Sequence, residues 1–201
     1  MFDFLALAQT CAPAVHPDTM RRLVQVESSF NPYAIGVVGG RLARQPRSHA
    51  EALAAVRLLE RQGMNYSVGL AQVNMKNFPA YGLSATTMFD PCSNLRAGSR
   101  ILAECFGRAQ RARPTERAAL LAAFSCYESG NFKTGFKDGY VSKLVQADPG
   151  QASFRRPAPA PVQARHPPPA VTRNPASPPA RVERYKSGTA PLLAHDSGLA
   201  F

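Results

Sequence analysis

Apolar positions recur at three- and four-residue intervals up to about residue 148, the spacing of amphipathic helices. Residues 2–10 read as a short apolar helix. Pro17 suits the first position of a second helix, with Asp18 favourable in its first turn. Its apolar stripe runs through Met20, Leu23, Val24 and Val26 to Glu27 or Ser28. Asn31-Pro32 stops it, because a residue before proline avoids the helical region. Ser48-His-Ala-Glu51 matches a capping box, followed by Ala52, Ala55, Val56, Leu58 and Leu59 on one face and Gly63 at the C′ position. Asp90-Pro91 opens another helix with Leu95, Ile101, Leu102, Cys105 and Phe106 inward. Thr115 caps one through Leu120, Leu121, Phe124 and Tyr127, and residues 136–147 supply a last amphipathic turn or two.

Two stretches break the helical period. Residues 34–45 set β-branched residues around Gly39-Gly40, the signal of a short hairpin, which is stable only when packed on something. Asn65–Asn74 is apolar without a clear period and reads as a turn passing into a short buried helix. The expected fold is therefore mainly α, with a small β-hairpin appended.

After Pro149 the pattern fails. Residues 149–201 hold 11 of the 18 prolines and seven basic residues against two acidic ones. Such a stretch buries too little apolar surface to offset its ordering entropy. It is expected to be a disordered, polyproline-like Pro/Arg-rich tail, with the folded domain spanning residues 1–148. The net charge of +11 suits polyanionic surroundings: nucleic acid, anionic lipid or cell-envelope polymers.

Cys11, Cys92, Cys105 and Cys126 all fall in the folded part. An even count fits two disulfides in any of three connectivities, or four buried thiols. Without a Cys-x-x-Cys pair or clustered histidines, neither a metal centre nor a cofactor is expected. No apolar run reaches the roughly 20 residues of a membrane span. The N-terminus, with Asp3 and Gln9 and no basic leader, reads as a first helix and not as a secretory signal.

Glu27 stands out chemically. It sits in the last turn of its helix, where the macrodipole disfavours an ionised carboxylate. Burial among Val24, Val26 and Phe30 would push the same way, leaving a protonated carboxyl fit for general-acid work. Taken singly, Glu27 also reads as a solvated helix-end residue, Tyr127 as a core aromatic, Gln72 as a turn residue and Ser67 as a helix cap.

Together, Glu27-Ser-Ser-Phe-Asn-Pro32, Ser67-Val-Gly-Leu-Ala-Gln-Val-Asn74 and Ala123-Phe-Ser-Cys-Tyr-Glu-Ser-Gly130 resemble the three ordered motifs of the soluble lytic transglycosylases. The stretch from Tyr33 to Gly40 and Phe89-Asp-Pro-Cys-x-Asn94 resemble the branch associated with type IV secretion and conjugation. The resemblance covers roughly residues 5–145 and implies a lysozyme-like fold that cleaves peptidoglycan glycan strands in the periplasm. It implies that Glu27 is catalytic acid and base, that Tyr127 orients it, and that Ser67, Gly69, Leu70, Gln72 and Asn74 line the sugar groove. Gly69 would there allow backbone close to ligand. Glu128 stands where the family has Asn and joins the groove as a second carboxyl, and Ala71 stands where it often has Met. A monomer acting on glycan, with a tail that docks on the secretion apparatus, is the expected partner set. Two alternatives are a catalytically silent wall-binding module and a muramidase-type hydrolase using Glu128. Nucleic-acid binding rests on charge alone and ranks last.

Overall fold

A computed structural model of the chain describes residues 3–147 and 169–173. Its helices are α1 (Phe4–Cys11), α2 (Pro17–Ser28), α3 (His49–Arg61), α4 (Phe78–Tyr81), α5 (Pro91–Gln110), α6 (Glu116–Ser129), α7 (Thr134–Lys137) and α8 (Tyr140–Gln146). The strands are β1 (Ile35–Val37), β2 (Gly40–Leu42), β3 (Tyr66–Val68), β4 (Val73–Asn74) and β5 (Val171–Arg173). A 3₁₀ turn, Met75–Asn77, leads into α4. The architecture is mainly helical with a small antiparallel β part, as the pattern predicts.

The long helices begin where short polar side chains satisfy their free N–H groups. Asp90 Oδ1 accepts the Ser93 N–H at 2.8 Å and Thr115 Oγ1 accepts that of Ala118 at 3.1 Å. Ser48 Oγ accepts the Glu51 N–H at 3.2 Å, while the Glu51 carboxylate turns to the Arg47 N–H and to Arg44. Half of the expected capping box therefore goes to an ion pair.

The helices enclose one apolar core around Leu23, Val24, Leu70, Leu95, Leu102, Leu120, Phe124 and Leu144. Two disulfides, Cys11–Cys92 and Cys105–Cys126, fix α1 and α6 to α5, resolving the open question of cysteine state and pairing. Arg22 of α2 reaches the carbonyls of Val145 and Ala147 at 3.0 and 2.8 Å, so its guanidinium covers the C-terminal end of α8. That contact sets α8 beside α2.

A second core, with Ile35, Leu42, Val56, Leu59, Met64, Tyr66 and Phe89, lies between α3 and the strands. Here the structure departs from expectation. The strands β1 and β2 flank the Val38-Gly39 turn, yet each has its ladder elsewhere: β1 with β3 (Gly36↔Ser67) and β2 with β5 (Arg41↔Thr172). Asn65–Asn74 contains β3, a turn and β4 (Ser67↔Asn74) in place of the expected buried helix. Val68, Leu70 and Val73 are buried through tertiary contacts that no local period records. Within the stretch expected to be a disordered tail, Val171–Arg173 is a strand, because β2 offers it an edge and Pro169 and Val171 find apolar cover. The rest of the expected tail lies outside the described residues. Among the described residues, no helix is long and apolar enough to cross a membrane.

Candidate active site

The end of α2 shapes the site. Ser29 and Phe30 both adopt left-handed backbone (φ 50° and 61°), unusual for non-glycine residues and costly unless the surroundings impose it. Phe30 is buried and meets Phe4 edge to face, with ring centroids 5.2 Å apart. The helix thus ends at Ser28 and Glu27 is left in its last turn, facing a groove of about 700 Å³. The helical side of that groove presents Glu27, Tyr127, Glu128 and the Cys105–Cys126 pair; the β side presents Gly36, Val37, Ser67, Gln72 and Asn74.

The Glu27 carboxyl is pushed up to about 7. Removal from water is the main cause, and the charge of Glu128 adds to it. A hydrogen bond donated by the Tyr140 hydroxyl to Glu27 Oε1 works against both, since it favours the ionised form. Near neutral pH the carboxyl is therefore held between its two states.

The oxygen that touches Glu27 is not the expected one. Tyr127 donates its hydroxyl to the Ala71 carbonyl at 2.5 Å, and reaches Glu27 only through space. Burial and the Glu27 charge raise the Tyr127 hydroxyl well above its ordinary range, so it stays a donor. Tyr140, the first residue of α8, is the residue hydrogen-bonded to Glu27. The signal was a helix start after left-handed Gly139 (φ 75°), within a stretch read only as a terminal turn.

The Ser67–Asn74 segment separates into groove and frame. Asn74 Nδ2 donates to Ser67 Oγ at 3.2 Å across the β3–β4 pair, and both face the groove. Gln72, at φ 44°, donates through Nε2 to the carbonyls of Ala34 and Gly69, both at 2.9 Å, tying the turn to the start of β1. Leu70 belongs to the helical core and is fully buried, so it does not line the groove. Gly69 is also buried; at φ 79°, a Cβ there would lie 2.4 Å from the Asn94 amide. The glycine makes room for Asn94, not for a ligand. Asn94 is fully buried on α5; its Oδ1 accepts the Ala71 N–H at 2.8 Å, and its Nδ2 donates to the Val68 and Met88 carbonyls, each at 2.9 Å. A polar side chain on the inner face of an amphipathic helix was the available sign of that role.

Glu128 is exposed, and its Oε2 packs 3.0 Å from the position a Cβ would take on Gly135. Partial burial raises its carboxyl, Asp138 adds to this, and Lys143 opposes it. Among the described residues, no group of three or more His, Cys, Asp or Glu gathers that could hold a metal ion.

A raised carboxyl in the last turn of a helix, over an open groove walled by a β-turn, covers residues that also match a family model, the transglycosylase SLT domain, over 4–147. The chain belongs to that family. The "Type IV secretion system protein virB1" of Brucella abortus biovar 1 (strain 9-941) is 56% identical over 151 residues, covering 72% of this chain and 63% of that one. The "Protein virB1" of Agrobacterium fabrum is 34% identical over 147 residues, covering 72% and 59% respectively. The chain thus spans about three fifths of the length of the curated relatives it matches. No solved structure matches it. As an SLT domain, it offers its groove one carboxyl poised near neutrality, a second at the edge, and amide and hydroxyl groups from the β turn. That set can move a proton and hydrogen-bond a polyhydroxylated chain.

Proposed function

We propose that the protein is a peptidoglycan lytic transglycosylase that opens the cell wall locally, in the periplasm, for a type IV secretion or conjugation apparatus. The observation that carries this is Glu27: a carboxyl raised to about 7, held by one tyrosine and facing a groove of about 700 Å³. Below that pH Glu27 is protonated and delivers its proton to the glycosidic oxygen between N-acetylmuramic acid and N-acetylglucosamine. The C1–O bond breaks. The now ionised Glu27 then accepts the proton of the muramic 6-hydroxyl, whose oxygen bonds to C1 and closes a 1,6-anhydro ring. No water is consumed, and the substrate's N-acetyl group stands in for the second carboxylate of ordinary glycosidases. Tyr140 orients the acid. Ser67, Gln72, Asn74 and the edge residue Glu128 contact or border the glycan. Tyr127 and Asn94 hold the turn that presents those amides. The kinship with virB1 proteins supports the secretion context.

Glu128 lines the same groove and raises Glu27 by its charge, which favours one second outcome, hydrolysis through a bound water. Mass spectrometry of soluble products from purified sacculi separates these. Unsubstituted protein is expected to release fragments with 1,6-anhydromuramic ends, and Glu27→Gln to release none. Reducing ends would establish hydrolysis instead. Release by Glu27→Gln at the unsubstituted rate would sink the assignment of Glu27.

A further inference from the structure

The strand β5 is separated from the domain's last helix by residues that are not described, yet it makes specific contact. It runs antiparallel to β2, with Gly40 opposite Arg173, Arg41 opposite Thr172 and Leu42 opposite Val171. The ladder continues past the strand, the Ala43 N–H donating to the Ala170 carbonyl at 2.8 Å. Alternate residues, Pro169 and Val171, turn inward: Pro169 is buried and Val171 packs against the second core, while Ala170 and Thr172 are exposed. Gly40 permits the approach. A Cβ there would lie 2.7 Å from the Thr172 carbonyl oxygen and 3.2 Å from both Met64 Cε and Val37 Cγ1. Without β5, β2 would present an open strand edge to solvent.

The neighbouring strand β1 and the turn after it form a wall of the groove. Gly36, Val37 and Val38 line it, and two residues of chain separate Val37 from the start of β2. Val37 also packs on the core that Val171 covers. We propose that Pro169–Arg173 is a positioning strand, donated by the C-terminal segment to the edge of β2, that fixes the β1–β2 wall against which the glycan lies. Pro169–Arg173 then supports the binding surface without lining it, and the edge of β2 is its seat, taking inward apolar side chains two residues apart.

The test uses the full chain. Val171→Asp places a charge in the second core, and Gly40→Val expels β5 without altering it. Amide hydrogen exchange by NMR is expected to show Ala43 exchanging at least about tenfold faster in both variants, with Leu23 and Phe124 of the helical core unchanged. In a Glu27→Gln background, where glycan is not consumed, Val171→Asp is expected to bind soluble glycan strands about three- to tenfold more weakly, because the wall must be ordered on binding; Gly40→Val also crowds the wall residue Val37 and serves the exchange measurement alone. The affinity measurement rests on the function proposed above; the exchange measurement does not. Equal Ala43 exchange with and without Val171→Asp would overturn the docked strand. Faster exchange with unaltered glycan affinity would overturn its role in the wall. No glycan binding by the Glu27→Gln chain itself would overturn that role and the proposed substrate together, with Ala43 still reporting whether the strand is docked.

Discussion

The helical half and the β half of this domain meet at one groove but are specified by different means. In the helical half, caps and apolar stripes lie within each segment, and the elements are then joined by two disulfides, by Arg22 on the end of α8 and by one shared core. In the β half no strand among the described residues exceeds three residues, and partners lie far apart in the chain: Gly36 with Ser67, Arg41 with Thr172. A three-residue strand has no stability alone. It exists because α3 and the second core lie beneath it. The consequence is a division of labour: the carboxyl comes from the disulfide-joined half, and the hydrogen-bonding wall from the half assembled by long-range pairing.

The largest effect expected on that division is Glu27→Gln, which should lower product release from sacculi by about a thousandfold, the scale of a lost general acid. Binding of glycan should survive, since the wall is untouched. Next comes removal of Cys11–Cys92 by paired alanines. The disulfide closes a loop of sequence separation 81, and its loss should cost about 4 kcal/mol by denaturant midpoint. Asn94→Ala follows, at about 3 kcal/mol, because the Ala71 N–H and the Val68 and Met88 carbonyls lose a buried partner. Unlike the disulfide, Asn94 joins the two halves, so glycan affinity should fall with stability. If affinity held while stability dropped, the wall would not depend on α5.

The smallest effects concern pH. Activity that needs protonated Glu27 should be level at low pH and fall as pH rises through about 7. Tyr140→Phe removes a bond that favours the ionised form, so the alkaline limb should move to higher pH while turnover drops. Glu128→Gln removes a like charge, so Glu27 should ionise more easily and the limb should move slightly lower. Profiles of kcat/KM for both variants check the signs. A shift in the same direction would mean that Tyr140 acts by shape and not by hydrogen bonding.

Legibility in the sequence follows the same line as the comparison. The long helices, their caps and the odd placement of Glu27 could be read because each depends on neighbours within a few residues. Ser67, Gln72, Asn74 and Glu128 line the groove. Leu70 and Gly69 belong to the same motif but serve the core and Asn94, a distinction that only burial reveals. The Tyr140–Glu27 bond is not legible because its partners lie 113 residues apart, and the Tyr127 bond to the Ala71 carbonyl because it joins two separate motifs. The strand β5 escaped for the same reason: a proline-rich segment carries no sign of an edge waiting elsewhere.

The disulfides close two loops that follow one another along the chain, neither nested nor crossed. Consider the polypeptide entering an oxidising space N-terminus first. When Cys92 arrives, Cys11 is the one of these four thiols already there. Once that bond forms, Cys105 has no mate until Cys126 appears. Pairing each newcomer with the waiting thiol therefore gives the native connectivity at every step, and the crosslinks can form in order of delivery without reshuffling.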